Sequence, residues 1–219
     1  AQLEAKDAEA LILQEGMDST ISQMKEMHVD QGTADEALNA QIDTIILDNS
    51  KKLSAIIDSI LQACADKLDD ALYELETPSS AAMTASTPEY VLSLIEKAQA
   101  SSNEFTAVFS LFVEQQEVGG DHVNVIKSAN QLAQAMCDSL VNVKGILRFC
   151  KSEEAMDRLT SVAVDAGHIL LRFFLNIQSY RLAGMTSQQR TNVAVQQNAQ
   201  VSTALGRLAD SAQSLVGQR

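Results

Sequence analysis

The chain has 219 residues, of which 46% are hydrophobic and only 4% are aromatic. A hydrophobic share of that size excludes wholesale disorder, and the length is sufficient to bury a core in one or two domains. Asp and Glu outnumber Lys and Arg by 29 to 16, so that the net charge is −13 and no basic stripe occurs. We therefore expect no nucleic acid among the partners, because phosphate recognition needs clustered positive charge. Frequent Ala and Gln favour long helices over sheets.

The first segment, residues 2–29, carries a heptad-like stripe. Leu3, Ala10, Met17 and Met24 follow one another in steps of seven, which is the seam pattern of a coiled coil or a bundle helix. Because Ala and Met pack less specifically than Leu and Ile, this seam is weak.

A break around Gly32 separates this helix from a second one, which is predicted over residues 34–75. Gly32 is expected at a helix end, and Thr33 with Glu36 forms a predicted capping box. At 1.5 Å per residue the second helix would be about 60 Å long, which is more than a compact bundle needs. Its stripe includes Asn49, and so the helix is expected to begin outside the bundle and to end within it.

The stripes of these two helices supply the candidate contact site of the chain. Their residues would either pair two chains along a stalk or pack one helix on the other within a single chain. The spacing of the residues leaves both alternatives open. The candidate contact residues are Leu13, Met17, Ile21, Met24, Ile42, Ile45 and Asn49.

Four further helices are predicted between clear stop and start signals. A stretch of small polar residues, 77–87, is the one long loop, and Thr87 followed by Pro88 begins the next helix. Asp121 and Ser152 begin two later helices. The fifth helix is apolar nearly all round, which predicts a central position in the bundle. The predicted ranges are 88–118, 122–151, 153–182 and 188–216.

Together these patterns predict an all-α fold. The expected architecture is an antiparallel up-and-down helical bundle with long, coiled-coil-like helices at the N-terminus. Residues 1–50 are assigned to acidic stalk helices and residues 51–219 to the helical bundle.

No pattern in the sequence supports catalysis, and the chain is predicted not to be an enzyme. His28, His122 and His168 lie on different helices, away from metal-ligand spacing with Cys, Asp or Glu. No cofactor and no metal are therefore expected. His168 is predicted to be a hydrogen-bonded core residue, with a ligand role or a pH switch as the alternative.

Three cysteines, Cys64, Cys137 and Cys150, lie far apart in apolar helical stretches. An odd number without close pairing predicts reduced, buried thiols in a reducing compartment. The chain has no Asn-x-Ser/Thr sequon, and its most apolar window, Ile169–Ile177, is too short to span a bilayer. A cytoplasmic location is therefore expected.

Two stretches that flank the small-residue loop carry a resemblance to a known family. Residues 68–75 read Leu-Asp-Asp-Ala-Leu-Tyr-Glu-Leu, and residues 87–93 read Thr-Pro-Glu-Tyr-Val-Leu-Ser. In this pairing the chain resembles the middle region of the huntingtin-interacting-protein family of endocytic adaptors. That region is called the rendezvous domain in the fungal members. The likeness is specific across the loop and rests on pattern elsewhere.

The family combines several domains. An ANTH domain binds phosphoinositides, a dimeric coiled coil binds clathrin light chain, and a talin-like THATCH domain binds filamentous actin. The resemblance implies that residues 1–50 are the end of the coiled coil and that the remainder is the helical middle domain. It implies endocytic coat proteins as partners, a homodimer through the coiled coil, and contact with actin and membrane through other domains of the full-length protein. It also implies a place at cortical actin patches and clathrin-coated endocytic sites.

The expected function is that of a non-enzymatic interaction and force-bearing module, which links clathrin-coated membrane to the actin cytoskeleton. The alternative is a talin- or vinculin-like bundle that itself binds actin or a helical ligand. Residues 76–219 suit the alternative better, because their net charge of −2 repels acidic actin less than the −11 of residues 1–75 does. A purely structural spacer is a third interpretation.

Overall fold

The computed structural model describes residues 2–26, 32–78, 85–115 and 120–218. Six α-helices make up most of these ranges, which contain no strand, and the prediction of an all-α bundle is confirmed. The helices are α1 Gln2–Glu26, α2 Gly32–Glu76, α3 Pro88–Glu114, α4 His122–Ile146, α5 Glu153–Asn176 and α6 Ser187–Gln213.

Helices α2 to α6 close a ring around one core. α3 packs mainly on α4 and α6, α2 packs mainly on α4 and α5, and α5 also packs on α6. The order around the ring is therefore α3, α4, α2, α5, α6. Helix α1 lies outside this ring, against α2 and α4.

The most deeply buried helix is α4, and the prediction that α5 occupies the centre is wrong. Fifteen of the 25 residues of α4 are buried, compared with seven of the 24 residues of α5. α4 lies between α2 and α3 and is also contacted by α1, whereas α5 keeps one side in solvent. His168 and Arg172 are exposed on that side, so the predicted core position of His168 is also wrong.

Side-chain caps begin four of the helices. Thr87, Asp121 and Ser152 each accept a hydrogen bond from the backbone N–H three residues further on, as their positions in the sequence predict. Thr186 caps α6 in a capping box with Gln189. These local signals determine where the chain enters the bundle.

Several helix boundaries differ from the predicted ones. α2 already begins at Gly32, and so the predicted cap at Thr33 is wrong. α5 ends at Asn176 and is followed by turns, several residues before its predicted end. α4 ends at Ile146 in a short 3-10 turn, Leu147–Phe149. The predicted loop at 77–87 and the break near 30 lie mostly outside the described residues.

Phenylalanine rings fill the centre of the core. The ring of Phe105 on α3 lies 5.6 Å from that of Phe173 and 5.8 Å from that of Phe174, measured between centroids, and both pairs are edge-on. Phe109 stands 5.9 Å from Phe105 on the same helix. This cluster joins α3 to α5 across the ring, in geometries that aromatic pairs favour.

Candidate functional site

The candidate contact residues lie on a hairpin that α1 forms with the first half of α2. Met24, near the end of α1, lines a pocket of about 330 Å³ together with Gln41, Thr44 and Ile45 of α2. Ala10, in the first half of α1, instead reaches the core of the bundle. α1 therefore runs back along α2, from the tip of the hairpin to the bundle.

The seven candidate residues are covered to different extents within the single chain. Met17 and Ile42 are buried, with 5% and 8% of their surface exposed. Leu13 is half-buried and packs against the bundle core. The half-buried members of the set are Leu13, Ile21, Met24, Ile45 and Asn49. The folded-back hairpin thus accounts for the seam within one chain, and a contact with a second chain stays a prediction.

His122, the first residue of α4, marks the place where α1 rests on the bundle. Its side chain is 3% exposed, and neither of its ring nitrogens has a hydrogen-bond partner among the described residues. Burial lowers the pKa of His122, whereas the Gly120 backbone, Asp121 and Asp7 of α1 act in the opposite direction. One carboxylate oxygen of Asp7 is buried there without a partner in the described chain.

This contact between α1 and the bundle is therefore poorly satisfied. A buried polar group that lacks a hydrogen bond costs roughly 1–3 kcal/mol. Gln14, on the same helix as Asp7, also buries its side-chain oxygen without a partner among the described residues. Since α1 buries few apolar side chains in return, we expect it to detach more easily than any helix of the ring.

Polar contacts fasten the connection between α5 and α6 to α2. Asp58 accepts a hydrogen bond from the backbone N–H of Ser179 at 2.8 Å and a second one from the Ser179 hydroxyl. Nearby, the side-chain amide of Gln178 donates to Gln62 at 3.1 Å. These bonds hold the turns that follow α5, which explains why that helix ends earlier than its apolar pattern predicts.

Two cations, one in the last turn of α4 and one in the 3-10 turn that follows it, fasten the connection between α2 and α3. The ammonium group of Lys144 donates to the carbonyl oxygens of Glu74 at 2.7 Å and of Thr77 at 2.9 Å. One turn later, Arg148 donates to the carbonyl oxygen of Ser86 at 3.0 Å. Sequence reasoning missed both residues, because a carbonyl acceptor more than sixty positions away leaves no signal in the local pattern.

An open groove lies where α2 leaves the bundle. It has a volume of about 750 Å³, and Leu47, Lys51, Val113, Met185 and Arg190 are among the residues that line it. Leu47 is 55% exposed. An exposed leucine beside a groove with cationic side chains is a surface suited to a helical or extended peptide.

The cysteines of the structure are free thiols. Cys64 on α2 and Cys137 on α4 are buried, as predicted, whereas Cys150 is partly exposed, so that the prediction is wrong for the third. Burial raises the pKa of Cys64 to about 12 and that of Cys137 to about 11. Thiols with such pKa values are poor nucleophiles near neutral pH.

The described part of the chain contains neither a metal site nor a membrane-spanning helix. Among the described residues, no three His, Cys, Asp or Glu side chains are grouped as a metal site would require. Within the same ranges, no helix is both long enough and apolar enough to cross a bilayer. His28 lies outside the described residues.

Comparison with known proteins gives two similar sequences. Endocytosis protein end4 of Schizosaccharomyces pombe is 28% identical over 206 residues, which cover 94% of this chain and 19% of that protein. Protein SLA2 of Saccharomyces cerevisiae is 22% identical over 174 residues, which cover 79% of this chain and 18% of that protein. This chain therefore spans about a fifth of the length of either relative.

Neither a family model nor a solved structure matches the chain. The two sequence matches confirm the predicted resemblance to the fungal endocytic adaptors of the huntingtin-interacting-protein family.

Proposed function

We propose that this chain is the helical middle segment of an endocytic adaptor, a non-enzymatic module that bears tension between clathrin-coated membrane and the actin cytoskeleton. Its similarity to an endocytosis protein over nearly its whole length supports this assignment. Endocytic coat proteins are the proposed partners of the segment itself. Actin and membrane would be contacted by other domains of the full-length protein, in the cytoplasm, at cortical actin patches and clathrin-coated sites.

One structural observation carries the proposal of tension: α2 belongs both to the hairpin and to the bundle. Its 45 residues form one uninterrupted helix, which is about 67 Å long. The proposed boundary between a stalk of residues 1–50 and a bundle of residues 51–219 falls inside this helix. A force on the first half of α2 therefore reaches the core along a helix, without crossing a loop.

The second half of α2 is held firmly in the core. Ten of its apolar side chains are buried, and the two polar contacts at Asp58 and at the Glu74 carbonyl secure it near both ends of the bundle. The buried residues are Leu53, Ile56, Ile57, Ile60, Leu61, Cys64, Ala65, Leu68, Leu72 and Leu75. This part of the helix is suited to resist a pulling force, because unfolding it requires that the whole core be exposed.

Single-molecule pulling tests the proposal directly. With handles at residues 2 and 218, we expect a first opening step at low force, when α1 leaves α2, and a second step at higher force, when the bundle unfolds. Leu61→Ala should lower the force of the second step alone, because Leu61 is fully buried in the core. Leu47→Ala, on the exposed side of the same helix, is the matched control and should change neither step.

The proposal of tension fails if the bundle unfolds before the hairpin opens, or if both open together at low force. A chain that unfolds in this way would act as a flexible linker. In that event the similarity to endocytic proteins would stand, and the mechanical role would not.

A homodimer that forms through the candidate contact residues of α1 and α2 belongs to the same proposal. The mass of the full chain in light scattering should be twice the 23.7 kDa of one chain. The double variant Ile21→Glu and Ile45→Glu should bring it to the mass of one chain, since both side chains are half-buried on the seam. Ile12→Glu changes a residue of α1 that is 69% exposed and is the control. A single-chain mass for the unaltered protein at every concentration would exclude the dimer.

Direct binding of actin or of a helical ligand is the second candidate. The groove beside Leu47 and the small net charge of residues 76–219 favour it. Co-sedimentation with actin filaments at moderate salt tests it. Pelleting that Leu47→Glu abolishes would support the second candidate, whereas a chain that stays in the supernatant would exclude direct actin binding.

A further inference from the structure

Two Thr-Pro dipeptides stand at the two ends of the connection between α2 and α3. The first is Thr77-Pro78, directly after α2, and the second is Thr87-Pro88, at the start of α3. Proline-directed protein kinases require a threonine or serine followed by proline, and both residues must be accessible to the enzyme. The sequence presents the two dipeptides as equivalent, but the fold does not.

The two prolines differ in exposure. Pro78 is exposed and Thr77 is half-buried, whereas Thr87 is exposed and Pro88 is buried in the first turn of α3. The oxygen of Thr87 also accepts a hydrogen bond from the backbone N–H of Tyr90 and so caps the helix. A kinase would have to unwind the start of α3 to bind Pro88, whereas at Thr77 it meets an exposed Pro78 and has to release only the last turn of α2, where the Thr77 hydroxyl is bonded to Tyr73.

We propose that Thr77 is a phosphorylation site for a proline-directed kinase and that a phosphate there loosens the last turn of α2. The Thr77 hydroxyl oxygen attacks the γ-phosphorus of ATP, and the bond between that phosphorus and ADP breaks. The hydroxyl proton passes to the catalytic base of the kinase. The proposal rests on the proposed function, because it assigns a control to the end of the helix that bears tension.

The first physical reason is a hydrogen bond that phosphorylation removes. The Thr77 hydroxyl donates to the carbonyl oxygen of Tyr73 at 2.7 Å, and the Thr77 backbone N–H donates to the same oxygen at 3.0 Å. A phosphorylated oxygen has no proton to donate. The last turn of α2 therefore loses one of the two bonds that close it.

The second reason is charge. A phosphothreonine carries about −1.5 to −2 charges at pH 7 and is unfavourable at the C-terminal end of a helix. The last turn of α2 already contains Glu74 and Glu76 and has no basic residue. The new phosphate is thus repelled by its own helix.

The third reason is competition for Lys144. Its ammonium group now binds the carbonyl oxygens of Glu74 and Thr77. The phosphorus of a phosphothreonine lies two bonds from the Thr77 β-carbon. A hydrogen bond from the ammonium group to a charged phosphate is stronger than one to a neutral carbonyl oxygen. Lys144 is therefore expected to turn toward the phosphate and to leave the end of α2 uncapped.

The test uses the full chain, a proline-directed kinase of the cyclin-dependent class and ATP, with the modified sites identified by mass spectrometry. Synthetic peptides of residues 70–84 and 80–94 correct for the preference of the kinase. At each site, the rate of modification in the folded chain is divided by the rate in the peptide that contains the same site. We expect this ratio to be more than about tenfold higher at Thr77 than at Thr87. Thr77→Ala should remove the modification.

Hydrogen exchange of the amides of residues 73–77 measures the consequence. We expect exchange to rise about tenfold after modification of Thr77. Lys144→Gln, without phosphate, should raise the same exchange, and phosphorylation should then raise it further, because the lost hydroxyl bond and the added negative charge still act. Thr77→Ala shows how much of the rise comes from the lost hydroxyl alone.

Two results would overturn the proposal. One is a folded chain that is not modified at Thr77 although its peptide is. The other is a modified chain in which exchange at residues 73–77 is unchanged. Neither result bears on the proposed function, because the pulling experiment uses unmodified protein and would give the same two steps.

Discussion

The hairpin and the bundle share one helix and differ in almost everything else. Among the described residues of the hairpin, up to residue 50, three apolar side chains are buried, whereas the described part of the bundle buries forty-four. Residues 1–50 carry eleven acidic side chains and two lysines, a net charge of −9, against −4 for residues 51–219. Self-repulsion and a thin interface both weaken the hairpin.

The difference shows that the helical state and the strength of packing are separate properties. α2 is equally helical in both regions, yet its first half is held by a partner helix whose contact with the bundle leaves the His122 ring nitrogens and one Asp7 carboxylate oxygen without hydrogen-bond partners among the described residues. Its second half is surrounded by α4 and α5. The substitutions that follow probe the bundle, the hairpin and the contact between them.

The largest effect is expected in the aromatic cluster of the bundle. Phe105→Ala removes a fully buried ring that contacts three others, and should lower the free energy of unfolding by about 3–5 kcal/mol. Urea denaturation measures the change. Tyr180→Ala is the exposed control and should change the free energy by less than about 0.5 kcal/mol. A loss for Phe105→Ala as small as that of the control would contradict the assignment of this cluster to the core.

The same substitution, Met→Ala, can be made at a buried methionine of the bundle and at one of the hairpin. Met136→Ala in α4 should cost about 2–5 kcal/mol, because its site is closed on all sides. Met17→Ala in α1 should cost on the order of 1 kcal/mol, because the hairpin can move to fill the gap. Hydrogen exchange should rise across the bundle for Met136→Ala and only in the hairpin for Met17→Ala. Equal costs would show that the hairpin is packed as tightly as the bundle.

Replacement of two helical glycines by alanine is expected to change the stability of the fold in opposite directions. A Cβ at Gly167 would lie 2.5 Å from a terminal carbon of Leu72, so Gly167→Ala should destabilise the contact of α5 with α2 by about 1–3 kcal/mol. Gly16 has nothing within 4 Å of that position, and Gly16→Ala should stabilise α1 by up to about 1 kcal/mol through helix propensity. Thermal unfolding measures both. The comparison fails if both variants shift the midpoint in the same direction.

The smallest effect is a pH dependence at the contact between α1 and the bundle. Because the pKa of buried His122 is lowered from 6.5, the docked state binds a proton less readily than the released state does. Stability from this group is therefore present above pH 6.5 and falls as the pH drops through that value. Hydrogen exchange of α1 should rise between pH 7.5 and 5.5, after correction for intrinsic rates. His122→Gln should reduce this rise, and an equal rise in the variant would assign it to other groups.

The parts of the fold that local chemistry decides could be predicted. Thr87, Asp121 and Ser152 cap helices because each needs only a backbone N–H three residues away. The apolar spacing of Leu53, Ile60 and Leu68 predicts their burial for a similar reason: one face of a helix has to be covered.

The candidate site could be predicted less well. The spacing of apolar residues along α1 and α2 predicts the candidate contact residues. This spacing is the same whether the partner helix belongs to the same chain or to a second chain. His122 and His168 show the limit most clearly. The sequence pattern favours a buried His168, and the structure buries His122 instead, because α1 covers part of α4 from outside the ring, whereas the outer side of α5 stays in solvent.

The sequence by itself determined that this protein is helical, where most helices begin, and which face of each helix is apolar. These properties depend on contacts within one or two helical turns, and such contacts form regardless of how the helices pack against one another. The tertiary structure alone decided the order of helices in the ring and the return of α1 along α2. It also decided the contacts of Asp58 with Ser179 and of Lys144 with the end of α2. Those contacts join residues dozens of positions apart, and their formation depends on how five apolar faces close around a single core.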